Sequence, residues 1–206
     1  GKKESFIIQL VKEGVKNKKQ ADEIVNQLKK SSYKVSDVKK REVIKSSYPP
    51  FTTSTMSQAG ARLFGWSAKR TMRAAQKLYE EGFITYHRTD SFNISSAAIT
   101  KAREFIKKTY GEKYLPESPK YYKTTSKIAQ EAHEAIRPTN LNEKVDIHPD
   151  ENKLYDIIFR RFVACQMAAS IYDETVIDVT AGKYLLRASG QIMRFDGWRN
   201  LFPREE

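Results

Sequence analysis

A proline pair divides this chain into stretches with different hydrophobic periods. Tyr48-Pro49-Pro50 cannot continue a helix or a central strand, because proline lacks the amide donor and fixes its own φ. From this break to about residue 171, apolar residues recur at helical spacing, whereas the two ends contain strand-like segments. We therefore predict an α+β fold, in which a mainly helical domain (46–171) is inserted into a β-containing domain formed by residues 1–45 and 172–206.

Hydrophobic spacing and capping residues predict the individual elements. Asn17 is a typical N-cap for a helix over residues 18–30. Four apolar residues share one face of that helix and are expected to point inward: Ala21, Ile24, Val25 and Leu28. Two later helices are predicted, one from Ser95 or Ser96 to Gly111 and one that begins at Pro149. Strands are predicted over five short segments: 5–11, 33–44, 175–180, 183–188 and 191–195.

Two helices joined by a short turn follow the proline break. Ser54 or Thr55 is expected to cap the first, which stops at Gly65, and Ser67 caps the second. The apolar face of the second helix is predicted to contain Ala68, Met72, Ala75, Leu78 and Tyr79. Its nearly opposite face is basic and contains Lys69, Arg70, Arg73 and Lys77. This pair is typical of a helix-turn-helix or winged-helix-like DNA-binding domain, although a solvated cationic face is also common on surface helices.

One tyrosine in the segment after these helices is a candidate nucleophile. The run Phe83-Ile84-Thr85-Tyr86-His87-Arg88-Thr89-Asp90-Ser91 is predicted to be extended, so that Tyr86 and Arg88 share a side with Ile84. A guanidinium there favours the phenolate and can bind a phosphate through paired hydrogen bonds. Attack on a phosphodiester would leave a phosphotyrosine ester, from which a sugar hydroxyl can reseal the strand without ATP. The simpler interpretation is that Tyr86 is a half-buried packing residue.

The charge balance points to a polyanionic partner. Lys and Arg number 37 against 25 Asp and Glu, a formal net charge of +12, as expected for a protein that binds nucleic acid or an anionic membrane surface. The alternative is a basic surface that only keeps the protein in solution. No apolar run approaches the length of a membrane span, and the first residues do not resemble a signal peptide, so an intracellular protein is expected. The single cysteine, Cys165, excludes an internal disulfide and suits a reducing compartment.

The sequence contains no recognisable metal or nucleotide-hydrolysis motif. The nearest approach is His133-Glu134-Ala135-Ile136-Arg137, which carries arginine where HExxH requires its second histidine. No Cys/His cluster has zinc spacing, and no Gly-rich phosphate loop occurs, so no metal ligands are predicted in this chain. The stretch 130–138 is interpreted as a short helical turn ended by Pro138. His133 and Arg137 would share one face of that turn, where they could hold a phosphate or a carboxylate.

Four motifs together resemble those of the type IA DNA topoisomerases. In chain order they are Pro50-Phe51-Thr52-Thr53-Ser54-Thr55, the run from Gly82 to Ser91, the run from Gln130 to Pro138, and Phe195-Asp196-Gly197-Trp198. The match covers most of the chain. It is closer to bacterial topoisomerase I than to topoisomerase III, in which a proline typically lies between the tyrosine and the arginine. A histidine at that position, as in His87, also resembles the motif of reverse gyrase.

The resemblance implies a reaction and a set of site residues. Tyr86 would attack a single DNA strand and become linked to its 5′ phosphate, leaving a free 3′ hydroxyl, and a second strand would pass through the gap before resealing. Arg88 would hold the scissile phosphate and stabilise its transition-state charge. His133 would position the phosphate or relay a proton, with Arg137 in support. Further DNA contacts are expected from five residues: Arg137, Lys69, Arg73, Thr53 and Ser54.

The resemblance also implies domains beyond this chain. In the family, a helical domain that carries the tyrosine is inserted into a β-rich arch that works as a gate. An acidic, Mg²⁺-binding Toprim domain is expected to precede residue 1, with the rest of the arch and the strand-binding domain at both ends. We therefore expect no cofactor within this piece, DNA and the remaining domains as its partners, and a cytoplasmic, nucleoid-associated location. Alone, it should not relax DNA.

Two other functions are compatible with the same residues. A winged-helix module that binds DNA without catalysis would use the Tyr86 run as a wing, and it would form no covalent adduct with DNA. An arch or interaction domain would use its basic surface for assembly. Of the three functions, only this one is compatible with a complete lack of DNA affinity. Covalent trapping and a binding measurement therefore distinguish the three functions.

Overall fold

The structure is a computed structural model that describes residues 6–11, 14–122, 134–143 and 145–202. Five helices and four strands lie within these ranges. The helices are α1 (Lys18–Lys30), α2 (Thr53–Phe64), α3 (Ala68–Glu80), α4 (Ser96–Tyr110) and α5 (Pro149–Cys165). The strands are β1 (Gln9–Leu10), β2 (Tyr33–Lys45), β3 (Ser170–Ala181) and β4 (Tyr184–Phe195). The fold is therefore α+β, as the sequence predicted.

Most helix ends follow the predicted capping residues. The Asn17 side chain accepts a hydrogen bond from the Gln20 amide, and the Ser67 side chain accepts one from the Arg70 amide. Gly65 ends α2 in the left-handed conformation at φ +66°, which glycine adopts without a Cβ penalty. The expected cap of α2 was wrong by two or three residues. Thr52 is the N-cap, and it forms a reciprocal capping box with Thr55.

The four strands form one sheet in the order β1-β4-β3-β2. β4 pairs antiparallel with both β1 and β3. The prediction of two separate strands over 183–188 and 191–195 was wrong, because Ser189 and Gly190 continue the ladder opposite Val176 and Thr175. A strand glycine loses side-chain packing but keeps its backbone hydrogen bonds, so Gly190 does not end β4.

The chain divides into two compact units. The β unit contains the described residues up to Ile44 together with Ile171–Phe195, and the helical unit contains Lys45–Ser170 and the described residues from Asp196 onward. The segment from Asp196 was predicted to belong to the β-containing domain, but it lies in the helical unit. There the Trp198 amide donates to the Ala168 carbonyl at 2.9 Å. The Trp198 indole donates to the Lys45 carbonyl at 2.8 Å.

The helical unit has a core built mainly from α2, α3 and α5. Its largest fully buried side chains include Phe51, Met56, Leu78, Leu154 and Ile158. Only glycine fits at position 60 of α2, because a Cβ there would lie 2.5 Å from the Thr71 hydroxyl of α3. The buried face of α3 contains Thr71, Ala74, Ala75 and Leu78.

The expected inward face of α3 was partly wrong. Ala68 and Tyr79 are exposed rather than buried. The face that packs on α2 is centred on Thr71, whose hydroxyl donates to the Ser67 carbonyl at 3.3 Å. That internal hydrogen bond lets a polar residue take a position that hydrophobic spacing assigned to apolar side chains.

The β unit is less thoroughly buried. Its small core contains Val179, Ala181 and Leu186, with Ile8 and Leu28 partly buried against them. On α1, the described side chains include only one that is buried, Ile24, and the expected inward residue Val25 is 47% exposed. Most of β2 is exposed along its length.

Candidate active site

The segment that carries Tyr86 is an extended loop rather than a regular strand. Among the described residues, a single bridge joins it to a neighbouring segment, from Ile84 to Pro138. From Tyr86 onward burial alternates, so that Tyr86, Arg88 and Asp90 are exposed while His87 and Thr89 are buried. The expectation that Tyr86 and Arg88 lie on one side agrees with this alternation. The expectation that Ile84 shares that side was wrong, because Ile84 is 2% exposed and belongs to the core.

A threonine directly before Tyr86 fixes the segment to the loop 135–137. The Thr85 amide donates to the Arg137 carbonyl at 2.9 Å. The Thr85 hydroxyl donates to the Ala135 carbonyl at 2.8 Å and accepts from the Arg137 amide at 3.0 Å. We call this arrangement the Thr85 clasp. Because it uses both the backbone and the side chain of one residue, it fixes the chain immediately before the phenol.

A second threonine fixes the segment after Tyr86 in the same pattern. The amide of Thr53, in the first turn of α2, donates to the Thr89 carbonyl at 2.9 Å. The Thr53 hydroxyl donates to the His87 carbonyl at 2.7 Å and accepts from the Thr89 amide at 2.9 Å. We call this arrangement the Thr53 clasp. It also satisfies an amide at the helix N-terminus that has no partner within the helix.

Two aromatic rings from the described residues contact the Tyr86 ring. Tyr79, at the end of α3, packs edge-on at a centroid distance of 5.2 Å, and His87 packs edge-on at 5.5 Å. Tyr79 and His87 also contact each other at 5.9 Å. Tyr86 itself is 43% exposed. The phenol ring is therefore supported by packed neighbours while part of it faces solvent, as a nucleophile that must reach a macromolecular substrate requires.

His87 is a buried titratable group at the base of this aromatic cluster. It is fully buried, and within the described ranges neither ring nitrogen has a hydrogen-bond partner. Burial lowers the pKa of His87 from its usual value, the Arg88 charge lowers it further, and Glu80 opposes both. The ring is thus held in its neutral form next to the candidate nucleophile.

Arg88 and the basic residues of α3 differ in whether their side chains are bound to other parts of the protein. Arg88, Lys69 and Arg73 are exposed, and the described part of the chain shows no ion pair to any of them. The Asp150 carboxyl, whose pKa Arg70 lowers most, also feels the charge of Arg73. Arg70 was also expected on the basic face, but its guanidinium forms a paired interaction with Asp150 at 2.7 and 2.8 Å. It also lies over the Trp66 ring at 4.9 Å. Arg70 therefore joins α3 to α5, and Lys69 and Arg73 remain accessible.

Arg137 is held within the protein. Its guanidinium donates to the Glu134 carboxylate at 2.6 Å and to the Pro138 carbonyl at 3.0 Å. Glu134 also accepts from the Ser95 amide at 2.7 Å. Burial raises the pKa of Glu134, but the hydrogen bonds from Ser95 and Arg137 outweigh it, so that the pKa is lowered overall. Arg137 thereby connects the loop of the Thr85 clasp to the start of α4.

The predicted helical turn over 130–138 was wrong for its described part. Residues 134–138 contain bridges from Ile136 to Phe51 and from Pro138 to Ile84, which require an extended backbone. His133 lies outside the described residues. The structure therefore leaves its expected role as a prediction, although the helical spacing from which its pairing with Arg137 was inferred does not apply to residues 134–138.

The two predicted DNA contacts on α2 have different surroundings. Ser54 is exposed, and its hydroxyl accepts from the Gln58 amide group at 3.1 Å. Thr53 is partly buried and forms the clasp described above. Hydrophobic periodicity could not have identified either clasp, because each joins segments that are more than 30 positions apart. The only local signal is the presence of hydroxyl residues next to the predicted nucleophile and at the helix start.

The described ranges lack two features, a cluster of metal ligands and a helix that could cross a membrane. There, no three His, Cys, Asp or Glu side chains converge in a way that could hold a metal ion. None of the helices in those ranges is long and apolar enough to cross a membrane.

Comparisons with known proteins identify close relatives. A family model described as DNA topoisomerase matches residues 2–206. DNA topoisomerase 1 of Pasteurella multocida is 45% identical over 192 residues, which cover 91% of this chain and 22% of that protein. The Escherichia coli DNA topoisomerase 1 is 44% identical over 191 residues, with the same two coverages of 91% and 22%.

A solved structure agrees with these relatives. The full-length topoisomerase I from Thermotoga maritima matches with a TM-score of 0.78 at 31% identity, covering 97% of this chain and 34% of that structure. Judged by the coverage of 22%, this chain spans about a fifth of the length of the Pasteurella multocida and Escherichia coli proteins.

Proposed function

Because the chain belongs to the DNA topoisomerase family, we propose that it supplies the nucleophilic tyrosine of a type IA enzyme and that this residue is Tyr86. The observation that carries the proposal is local geometry. Tyr86 is exposed on a loop that threonine clasps fix on both sides, and the exposed Arg88 lies two residues later. A fixed backbone around an accessible nucleophile reduces the entropy lost when the reacting groups align.

The proposed reaction exchanges one ester for another. The Tyr86 phenol oxygen attacks a backbone phosphorus atom, a new P–O bond to tyrosine forms, and the bond from phosphorus to the 3′ oxygen breaks. The phenol loses its proton, and the departing 3′ oxygen gains one. The product is a 5′-phosphotyrosine link and a free 3′ hydroxyl. Attack by that hydroxyl reverses the step, so no ATP is needed and the strand is resealed.

Arg88 is proposed to bind the scissile phosphate. Its guanidinium can donate two parallel hydrogen bonds to phosphate oxygens, and it would stabilise the charge that develops in the transition state. The adjacent DNA strand would lie along α3, where Lys69 and Arg73 neutralise phosphates, and Ser54 at the start of α2 would add a neutral donor. Tyr79, at the C-terminal end of α3, contacts the Tyr86 ring, so this end of the helix lies beside the proposed nucleophile.

His133 and Arg137 complete the proposed site in different ways. His133 would position the phosphate or relay a proton, as the family resemblance implies. Arg137 would act indirectly, because its guanidinium is already bonded to Glu134 and the Pro138 carbonyl. In that position it supports the loop that holds Thr85.

The rest of the enzyme is also part of the proposal. The helical unit would be a winged-helix-like domain that carries the tyrosine, and the β unit would be part of the arch that opens as a gate. Mg²⁺ would be supplied by an acidic domain elsewhere in the polypeptide. The described residues include no cluster of ligands that fits it, so no step is assigned to the metal here. The full enzyme would relax negatively supercoiled DNA on the bacterial nucleoid, and this chain alone would not.

Covalent trapping in the full-length enzyme tests the proposal. Tyr86→Phe should bind single-stranded DNA nearly as well as the wild type and form no 5′-linked adduct, because only the phenol oxygen is lost. Tyr79→Phe is the matched control, since it removes a neighbouring phenol oxygen and should still form the adduct.

Each outcome of the trapping assay decides between the candidate functions. A 5′-linked adduct that persists in Tyr86→Phe would move the nucleophile elsewhere. A wild-type enzyme that binds DNA with no adduct under any trapping condition would favour the winged-helix binding module. Absence of both adduct and affinity would favour an assembly domain.

A further inference from the structure

The Thr53 clasp binds the two residues on either side of Arg88, which are His87 and Thr89. The Thr53 hydroxyl donates to the carbonyl of His87 and accepts from the amide of Thr89, so it contacts the backbone on both sides of Arg88. The Thr53 amide adds a third hydrogen bond, to the Thr89 carbonyl at 2.9 Å. One residue of α2 therefore fixes the backbone from which the Arg88 side chain extends.

The hydrogen-bonding capacity of Thr53 is largely used within the protein. A hydroxyl has one proton and two acceptor lone pairs. The proton is directed to the His87 carbonyl at 2.7 Å, with the Thr89 carbonyl also near at 3.1 Å, and one lone pair accepts from the Thr89 amide. A DNA phosphate is an acceptor and would need that same proton. The contact pattern therefore opposes a direct DNA contact by Thr53.

We propose that Thr53 is a positioning residue, which sets the place of the Arg88 guanidinium relative to the Tyr86 phenol through the His87–Thr89 backbone. The inference rests on the proposed function, because it assumes that Tyr86 and Arg88 act on the same phosphate. It replaces the earlier expectation that Thr53 contacts DNA. Loss of the hydroxyl should leave DNA affinity intact and slow cleavage, because misplaced catalytic groups lower the rate without changing the binding surface.

The Thr85 clasp shows why both hydroxyls are needed. Thr85 fixes the backbone before Tyr86 through residues 135–137, and Thr53 fixes it after Tyr86 through residues 87–89. Without the Thr53 hydroxyl, the Thr85 clasp still holds the phenol end, but the Arg88 end keeps only the bond from the Thr53 amide to the Thr89 carbonyl out of the Thr53 clasp. The expected defect is therefore in the alignment of the pair rather than in the fold of the segment.

The experiment compares Thr53→Val with Thr53→Ser in the full-length enzyme. Valine keeps the shape and removes the hydroxyl, whereas serine keeps the hydroxyl. In single-turnover cleavage of a labelled single strand, Thr53→Val should be slower by roughly tenfold to a hundredfold, with an unchanged dissociation constant, and Thr53→Ser should restore most of the rate. Thr100→Val is the control, because within the described residues the exposed Thr100 hydroxyl bonds only to the Ser96 carbonyl of its own helix.

A double-mutant cycle separates positioning from a general loss of structure. If Thr53 acts through Arg88, the rate losses of Thr53→Val and Arg88→Lys should be clearly less than multiplicative when combined. Multiplicative losses would show that Thr53 acts independently of Arg88 and would overturn the proposal. Should Thr53→Val fail to fold, Thr53→Ala replaces it in the cycle and the same criterion applies.

Three further results would also overturn the proposal. These are wild-type cleavage by Thr53→Val, equal losses of affinity and cleavage rate, and failure of Thr53→Ser to restore the rate. Failure of the proposed function is visible separately, because the wild-type enzyme would then form no adduct that depends on Tyr86. The cycle is interpreted only against a wild-type enzyme that forms that adduct.

Discussion

The two units of this chain use their polar side chains in different ways. In the helical unit, polar groups are buried and bonded to backbone atoms far away in the sequence. Gln166 is fully buried, for example, and bonds to both the amide and the carbonyl of Lys120. In the β unit, several charged side chains pair with each other near the surface, as Arg194 does with Glu42, whose side chains are 52% and 44% exposed. The carboxylates of Glu174 and Asp178 are buried there, and each pairs with a more exposed arginine.

The difference indicates where conformation is most tightly specified. A buried hydroxyl or amide costs free energy unless its partners are in place, so a satisfied network favours one arrangement of the backbone. Exposed ion pairs contribute little and tolerate rearrangement, because water competes for both charges. The helical unit thus has the rigidity that a reaction site needs. The β unit is held by its backbone ladder around a small core and leaves apolar side chains such as Val38 exposed.

A core substitution should produce the largest contrast between the units. Leu78→Ala in the helical unit should lower the free energy of unfolding of this chain by about 2 to 5 kcal/mol, because Leu78 is fully buried and a cavity remains. Val38→Ala in the β unit should change it by less than about 0.5 kcal/mol, since Val38 is 51% exposed. Urea unfolding followed by circular dichroism measures both. Equal losses of unfolding free energy in the two variants would contradict the difference in burial between the units.

Removing two positive charges from each unit in turn should show which unit binds DNA. Lys69→Gln with Arg73→Gln should weaken single-strand binding and reduce the magnitude of the log-log salt slope by roughly 1.4, which corresponds to two phosphate contacts. Lys34→Gln with Lys40→Gln on β2 removes the same charge from the β unit and should leave the slope unchanged. Fluorescence anisotropy without Mg²⁺ measures both slopes. The reverse result would assign DNA binding to the β unit and leave α3 with a merely solvated basic face.

Acid should destabilise the helical unit through His87, and this is the smallest of the expected effects. The pKa of His87 is lowered in the folded state, so the unfolded chain takes up the proton more readily. Stability should therefore be lost as the pH falls below about 6.5, the ordinary pKa of histidine. Among the described residues, the charges of Arg88 and Glu80 act on the ring, and the rings of Tyr79 and Tyr86 contact it.

Matched substitutions check the origin of this acid effect. His87→Met, which fills similar space without a titrating group, should reduce the loss of unfolding free energy between pH 7.5 and pH 5.5. His148→Gln should keep the loss, because His148 is exposed at the start of α5 and leaves His87 in place. An unchanged acid loss in His87→Met would show that another group is responsible.

The sequence by itself determined the features that depend on near neighbours. It predicted α1 with its Asn17 cap, the end of α2 at Gly65 and the start of α5 at Pro149, because capping and helix spacing involve residues within about four positions. It also predicted that Tyr86 and Arg88 share a side, since an extended backbone alternates whether or not it joins a sheet. The motifs around these residues resembled the family to which the chain belongs.

The tertiary structure alone decided how the candidate site is held together. The Thr53 clasp joins residues 34 and 36 positions apart, and the Thr85 clasp joins residues 50 and 52 positions apart. The burial of His87 and the transfer of the segment from Asp196 to the helical unit likewise depend on distant contacts. A threonine has the same local propensity whether its hydroxyl meets solvent or a distant carbonyl. Its partner is selected by the packing of whole elements, and spacing along the chain carries no record of that packing.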